Sequence, residues 1–211
     1  DGIISTSEMT EKGYPVQSFT TVYPGDVKYV DLTGENIIDA NDRKAIGYST
    51  TAPDIYYNFH LGAEYKGIGL DAMFQGVGRW TGFMTTNGLY RSAVATNTLS
   101  QYLYENSWSA ERGNTENALF PRLSTTSNAN NDLNSTLNMF DRSYIKLRYV
   151  ELYYHLPKSL LNKLSVINNV KLYVRGTDLF TADHLDKADA ASYGVAQPLT
   201  RSVQLGAALT F

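Results

Sequence analysis

The residues best placed to do chemistry lie near the start of the chain, where oxygen-bearing side chains recur at every second position. Asp31, Thr33, Glu35, Asp39 and Asp42 fall at positions 1, 3, 5, 9 and 12 of a loop, and Ile37 at position 7 offers its carbonyl. That spacing is the calcium loop of EF-hand and dockerin type, in which hard oxygens surround the ion at flexible geometry. The match has departures: Thr33, Glu35 and Asn36 stand where such loops carry Asn, Asp and Gly. Asn tolerates the left-handed backbone that position 6 requires. The two readings are a structural calcium site and an acidic turn without metal. No catalytic cofactor is called for.

The other chemical candidates are weaker. His60, His155 and His184 are scattered, with no paired zinc-ligand spacing. No nucleophile elbow, phosphate loop or dinucleotide fingerprint is present. Asp186 and Asp189 read as solvated loop charges rather than a glycosidase acid/base pair. An enzyme is disfavoured. Trp80, Tyr90, Tyr102, Tyr104 and Trp108 lie in or beside a long polar stretch. Flat aromatics stack on sugar rings, so Trp80, Tyr90 and Trp108 are candidate substrate contacts; the alternative is that they pack the loop's own small core or meet a partner.

The elements that must position these residues are strands. From Asp54 to Tyr65, Ile55, Tyr57, Phe59, Leu61, Ala63 and Tyr65 alternate with a mixed polar set. Lys66-Gly67 makes a tight turn, and a second strand runs from Ile68 to about Val77. A third covers Tyr144 to Leu156, with a phase slip near Tyr149-Val150 that suggests a β-bulge. Pro157–Leu164 reads as one or two helical turns, Asn97–Trp108 as a helix, and Val27–Val30 as a short strand or hairpin. A fourth strand spans Val170 to about Phe180. The last, Arg201–Phe211, puts Val203, Leu205, Ala207, Leu209 and Phe211 on one face. The prediction is all-β: about five antiparallel strands, in residues 54–211, after a turn-rich segment 1–53. The connections alternate in length. Lys66-Gly67 and Pro157–Asn169 are short, whereas 79–143 and Thr181–Thr200 are long. Short periplasmic turns and long external loops are the outer-membrane barrel pattern.

Composition agrees. Of 211 residues, 18% are charged and 16 are Tyr, with 8 Phe and 2 Trp; an average soluble domain carries about 25% charge. Amphipathic aromatics favour membrane–water interfaces, and Tyr57, Tyr65, Tyr149, Tyr153 and Tyr154 are candidates for an aromatic girdle. A net charge of -3 argues against nucleic acid. The absence of Cys excludes disulfides and thiolate metal sites. No apolar run reaches transmembrane-helix length, which leaves barrel strands open. The first residues show no signal-peptide pattern, so the chain is expected to be mature, truncated or part of something longer.

Four stretches carry a family resemblance. Pro24-Gly25-Asp26-Val27-Lys28-Tyr29-Val30-Asp31-Leu32 leads into Ile38-Asp39-Ala40-Asn41-Asp42-Arg43. Pro53-Asp54-Ile55-Tyr56-Tyr57 continues to Phe74-Gln75-Gly76-Val77-Gly78. Ser143-Tyr144-Ile145-Lys146-Leu147-Arg148 continues to Val150-Glu151-Leu152 and Leu156-Pro157. Val174-Arg175-Gly176-Thr177-Asp178-Leu179-Phe180 precedes the terminal strand. In this order they resemble the C-terminal region of SusC/RagA-type TonB-dependent transporters. The resemblance implies an outer-membrane barrel of about 22 strands with a plug, completed by segments absent here. It implies import of oligosaccharides or peptides, a SusD-like surface lipoprotein as lid, energy from TonB, and outer-membrane lipid around the wall. The competing readings are a soluble or surface-anchored β-sandwich that binds glycans, which buries its apolar stripes between two sheets, and a β-rich glycoside hydrolase.

Overall fold

A computed structural model describes residues 2–86, 90–91, 99–161, 166–184 and 200–211. Its principal element is a five-stranded antiparallel sheet of β3 (Ile55–Tyr65), β4 (Ile68–Gly78), β7 (Tyr144–His155), β8 (Asn169–Asp183) and β9 (Ser202–Thr210), in that spatial order. Each strand pairs with the next member of the set along the chain. The smaller elements are α1 (Thr6–Thr10), β1 (Val16–Gln17), β2 (Ile37–Ile38), β5 (Thr81–Phe83), α2 (Gln101–Asn106), β6 (Met139–Asp141) and α3 (Lys158–Leu161). The chain divides into two units. One is Asp1–Ile46 with Gly82–Phe140; the other, Gly47–Thr81 with Asp141–Phe211, contains the large sheet.

All five expected strands are present. The period-two pattern forces this result, because any other register would mix the two faces. The rung Tyr65, Ile68, Tyr154, Leu172, Ala207 and the rung Ala63, Leu70, Leu152, Val174, Leu205 run across the whole sheet on one apolar face. The alternate rungs face the other way, and the next one along, Asp71, Glu151, Arg175 and Gln204, is polar. The phase slip in β7 is real and falls at Arg148. Leu147 and Tyr149 pair across it with Phe74 and Met73 of β4, and with Phe180 and Thr177 of β8. Arg148 Nη1 donates to Asp178 Oδ1 at 2.9 Å, and Asp178 has φ 53, so the irregularities of two neighbouring strands are pinned to each other.

The bulge corrects one expectation. Tyr57, Tyr65 and Tyr154 lie on the apolar face, but Tyr149 and Tyr153 register with Met73 and Gly69 on the polar face. One inserted residue flips every side chain beyond it. Tyr153 covers Gly69 so closely that a Cβ there would sit 2.1 Å from the ring. β8 also extends past Phe180 to Asp183, because Thr181–Asp183 find partners in Tyr144–Lys146. The expected helix over 97–108 is the shorter α2, capped by Ser100 and ending before Ser107; residues 97 and 98 lie outside the described set.

The first unit is organised by polar groups. Val27–Val30 forms no strand, only a single bridge from Val27 to Ile3; the short paired strands are β1 and β2, which run parallel. The reason is Asp26, fully buried, whose carboxylate accepts from the Tyr23 amide at 2.8 Å, Arg122 Nε at 2.7 Å, Asn131 Nδ2 at 2.9 Å and Asn128 Nδ2 at 3.2 Å. These donors draw the segment after Gly25 toward 122–131 instead of into a hairpin. Gly25 has φ 92, and a Cβ there would meet the Trp108 ring at 2.4 Å. α1 is set by a capping box between Ser5 and Glu8, a motif readable in Ser5-Thr6-Ser7-Glu8. Replacing Asp26 by Ala leaves the guanidinium and three amides without their acceptor. Breaking a buried pair costs about 3–5 kcal/mol; because Arg122 is 31% exposed, the lower end applies. The expected outcome is lost hydrogen-exchange protection at the Val27 and Arg122 amides with the large sheet unchanged.

Candidate functional site

Three regions hold the residues that the sequence singles out: the acidic loop, the aromatics of 80–108, and the two faces of the sheet.

In the acidic loop, Asp31 Oδ1 accepts from the Gly34 amide at 2.6 Å and Oδ2 from the Asn36 amide at 2.7 Å. Asn36 takes φ 62, the left-handed turn expected of position 6. Thr33 Oγ1 lies 3.2 Å from Asp31 Oδ1, 3.3 Å from Glu35 Oε1 and 3.2 Å from Asp42 Oδ1. Four of the five candidate ligands therefore gather round one hydroxyl. Asp39 does not join them; its carboxylate accepts from Asn41, at 2.7 Å from the amide and 3.2 Å from Nδ2. Among the described residues no group of three or more His, Cys, Asp or Glu side chains is disposed to hold a metal ion. The donor chemistry of Asp31, Thr33, Glu35 and Asp42 suits calcium, while the Asp31 and Asp42 carboxylates are engaged by amides of the loop. The Asp39 amide, ahead of those of Leu32 and Thr33, holds the Asp42 carboxyl below its ordinary range.

The aromatics are already in use. Trp80 lies in the unit that contains the large sheet; the Arg142 guanidinium sits 3.7 Å from its ring centroid, and its indole donates to the Thr50 carbonyl at 3.4 Å. Trp108 covers Gly25. Tyr90 lines a cavity of about 30 Å³, room for one water, beside Phe120 and Asn131. Burial, and then the neighbouring Tyr102, raises its phenol above the ordinary range. The Tyr104 ring packs under Arg112 at 4.1 Å. Of these rings, Tyr90 and Trp108 serve the interior of their own unit. Asp186 and Asp189 lie outside the described residues.

The sheet shows what composition alone could not. On its polar face Glu151 is 2% exposed and Lys146 1%. Glu151 bonds Arg175 at 2.7 Å and Lys171 at 2.6 Å; His60 meets Asp71 at 2.7 Å, and the Tyr153 hydroxyl donates to Glu64 at 3.1 Å. On the opposite face Leu205 is 82% exposed, Tyr65 74% and Val203 69%. At the centre of the sheet Glu151 and Lys146 are covered, while hydrocarbon on the opposite face is bare. Among the described residues no helix is long and apolar enough to cross a membrane, which says nothing of strands.

No family model matches the chain. A TonB-dependent receptor, P3, of Formosa agariphila is 30% identical over 167 residues, 79% of this chain and 15% of the receptor. The RagAB peptide importer superposes in its open-open state with TM-score 0.65 and in its closed-closed state with 0.64. Both are 24% identical and cover 89% of this chain and 21% of that one. A structure of the RagAB peptide transporter matches with TM-score 0.66 at 22% identity over the same shares. The chain thus spans about a sixth to a fifth of the length of these proteins.

A two-faced antiparallel sheet, bare and apolar on one side and salt-bridged on the other, has the alternation of an outer-membrane β-barrel wall, and its fold matches part of a known barrel transporter. The sequence match and the fold match both make the chain similar to one part of a TonB-dependent transporter of the SusC/RagA kind.

The acid response of the first unit follows from its carboxylates. Lys28, then the Ser5 amide, lowers Glu8 from 4.5 to about 2, and Asp42 is lowered from 3.8. Both groups are depressed on folding. Their contribution is complete above the unfolded values and is lost as pH falls through the folded ones. Between pH 4.5 and 2 the wild-type unit should loosen progressively, and Glu8→Gln should flatten that part of the profile. Hydrogen exchange at the Glu8 and Lys28 amides across this window checks it.

Proposed function

We propose that the chain is a wall segment of a TonB-dependent outer-membrane importer of oligosaccharides or peptides, working with a SusD-like surface lipoprotein. Further strands and a plug, from segments outside this chain, complete a barrel of about 22 strands and supply the contact to TonB. The sheet catalyses nothing; it separates lipid from an aqueous lumen. In this reading the ends joined by Lys66-Gly67 and by α3 face the periplasm. The connections between β4 and β7, and between β8 and β9, face outward, toward substrate and lid. Trp80 with its Arg142 cap is the aromatic we assign to substrate, since Trp108 is committed to Gly25.

One observation supports this reading above the others: Leu205 is bare while Glu151 is covered. A soluble β-sandwich would pack the Leu205 face against a second sheet. Two open edges, β3 and β9, point the same way, because strand edges in hydrocarbon must find partners. The membrane reading predicts that Leu205→Arg, introduced in the whole transporter, costs about 2–4 kcal/mol near the bilayer midplane and sharply lowers the yield of heat-modifiable barrel. Gln204→Arg on the other face should assemble normally. Uptake by the host strain, lost on deletion of the gene, tests the import reading. A protein that stays monodisperse in buffer without detergent contradicts it.

We also infer a structural role for calcium at Asp31, Thr33, Glu35 and Asp42. Terbium luminescence sensitised by Tyr29, displaced by calcium and abolished by Asp31→Ala, is the expected result. Equal signals from wild type and variant would leave the loop an acidic turn held by its own amides.

A further inference from the structure

The turn end of the sheet combines two surfaces with different chemistry. On the apolar face, a trough of about 630 Å³ runs past Ile68, Leu152, Tyr154, Leu172, Val174 and Leu205. Tyr154 also borders a second cavity of about 400 Å³, whose polar members include Lys66, His155, Lys158 and Asn169. The two cavities share that residue, and among the described residues no carboxylate lines either.

The lysines are placed by backbone. Lys66 has φ 52 and Gly67 φ 83 in the two-residue turn between β3 and β4. The turn is clamped to β7 by the His155 amide, which donates to the Gly67 carbonyl at 2.7 Å; a Cβ on Gly67 would lie 2.9 Å from the His155 carbonyl oxygen. The Lys66 ammonium stands 5.2 Å from the centroid of Tyr65, a ring of the apolar face, so its charge lies on the hydrocarbon side of the turn. Lys158 opens α3, which is anchored by buried Leu161, while Leu160 is 56% exposed on the same short helix. His155 is oriented by Asn169 at 3.1 Å.

We propose that this end of the wall is a binding site for an anionic phospholipid. One acyl chain fills the trough over Leu152, Leu172 and Leu205, the glycerol lies against Tyr154, and the phosphate is held between Lys66 and Lys158. The inference rests on the reading that the apolar face meets lipid. Charge complementarity selects the headgroup. The trough selects the tail: the backbone of β4, β7 and β8 beneath it is used up in ladders, so a peptide laid there would leave its own amides without partners, whereas a hydrocarbon chain has none to satisfy.

The test uses the whole transporter, delipidated in detergent and titrated with phosphatidylglycerol or phosphatidylcholine while bound lipid is counted by native mass spectrometry. Phosphatidylglycerol should bind in preference. A basic residue near a lipid surface contributes roughly fivefold each, so Lys66→Gln with Lys158→Gln should weaken phosphatidylglycerol about 30-fold and leave phosphatidylcholine unchanged. Millimolar inorganic phosphate should not displace the lipid. Equal retention of the two lipids by wild type overturns the proposal and needs no variant. So does unchanged retention by a double variant that still shows heat-modifiable migration, or capture of the site by a protein instead. A transporter that needs no detergent would remove the membrane reading itself; one that needs detergent but shows no headgroup preference would remove only this site.

Discussion

The interaction on which the sheet depends is the burial of Glu151 between Arg175 and Lys171. Its neighbours in the chain, Val150 and Leu152, point the other way and lie on the face that carries bare Leu205. A carboxylate with so little exposure is tolerable only when paired. Two cations from the next strand supply the pairing, and the register that aligns Glu151 with Arg175 is the one that aligns Leu152 with Val174. Slipping either strand by one residue would part the charges and break the apolar face at once. The ionic contact and the bare apolar stripe are therefore two expressions of one register. The Arg148–Asp178 pin at the bulge keeps that register on both sides of the irregularity.

Seen this way, the motif stretches acquire physical content. Tyr144–Arg148 with Val150-Glu151-Leu152 lies in β7, and Val174–Phe180 lies in β8; the two stretches pair with each other, and Glu151, Arg175, Arg148 and Asp178 are their mutual contacts. Pro24-Gly25-Asp26 supplies the tight backbone under Trp108 and the buried acceptor for Arg122 and two asparagines. Each stretch keeps its residues for a partner distant in the chain.

The strands were legible in the sequence because a two-residue period needs no knowledge of partners. Even the bulge left a trace, an apolar residue one step out of phase. What the period could not show was the side to which Tyr149 turns, since that depends on whether Arg148 or its neighbour is the extra residue; Tyr153, between Leu152 and Tyr154, is turned to the polar face by alternation alone. The first unit was less legible for a different reason. Its order comes from Asp26, Arg122, Asn128 and Asn131, polar side chains about a hundred positions apart, and polar residues in a loop carry no periodic signature. Val27–Val30 reads as a strand by alternation alone, yet the Val27 amide is taken by Asn131 Oδ1 at 2.8 Å and its carbonyl by Asn130 Nδ2 at 2.8 Å. The acidic loop was readable as a loop, and Asn36 does turn left-handed, but no spacing rule could show Asp39 bonded to Asn41 rather than to the group around Thr33.

The same reasoning bears on the two edges. β3 is exposed along all its residues on both faces, and β9 nearly so. In water such edges are a hazard for aggregation; in hydrocarbon each unpaired amide costs several kcal/mol, which no side-chain device offsets. A lipid-facing sheet therefore has to continue in both directions until it closes. The polar face makes the same demand from within. His60, Asp71, Tyr153 and Glu64 form paired groups near the β3 edge, and a lumen wall built of such pairs is stable only where water or further polar protein meets it. Lipid on one side, a wet lumen on the other and strands at both edges are three requirements of one alternating pattern, and a closed barrel meets them together.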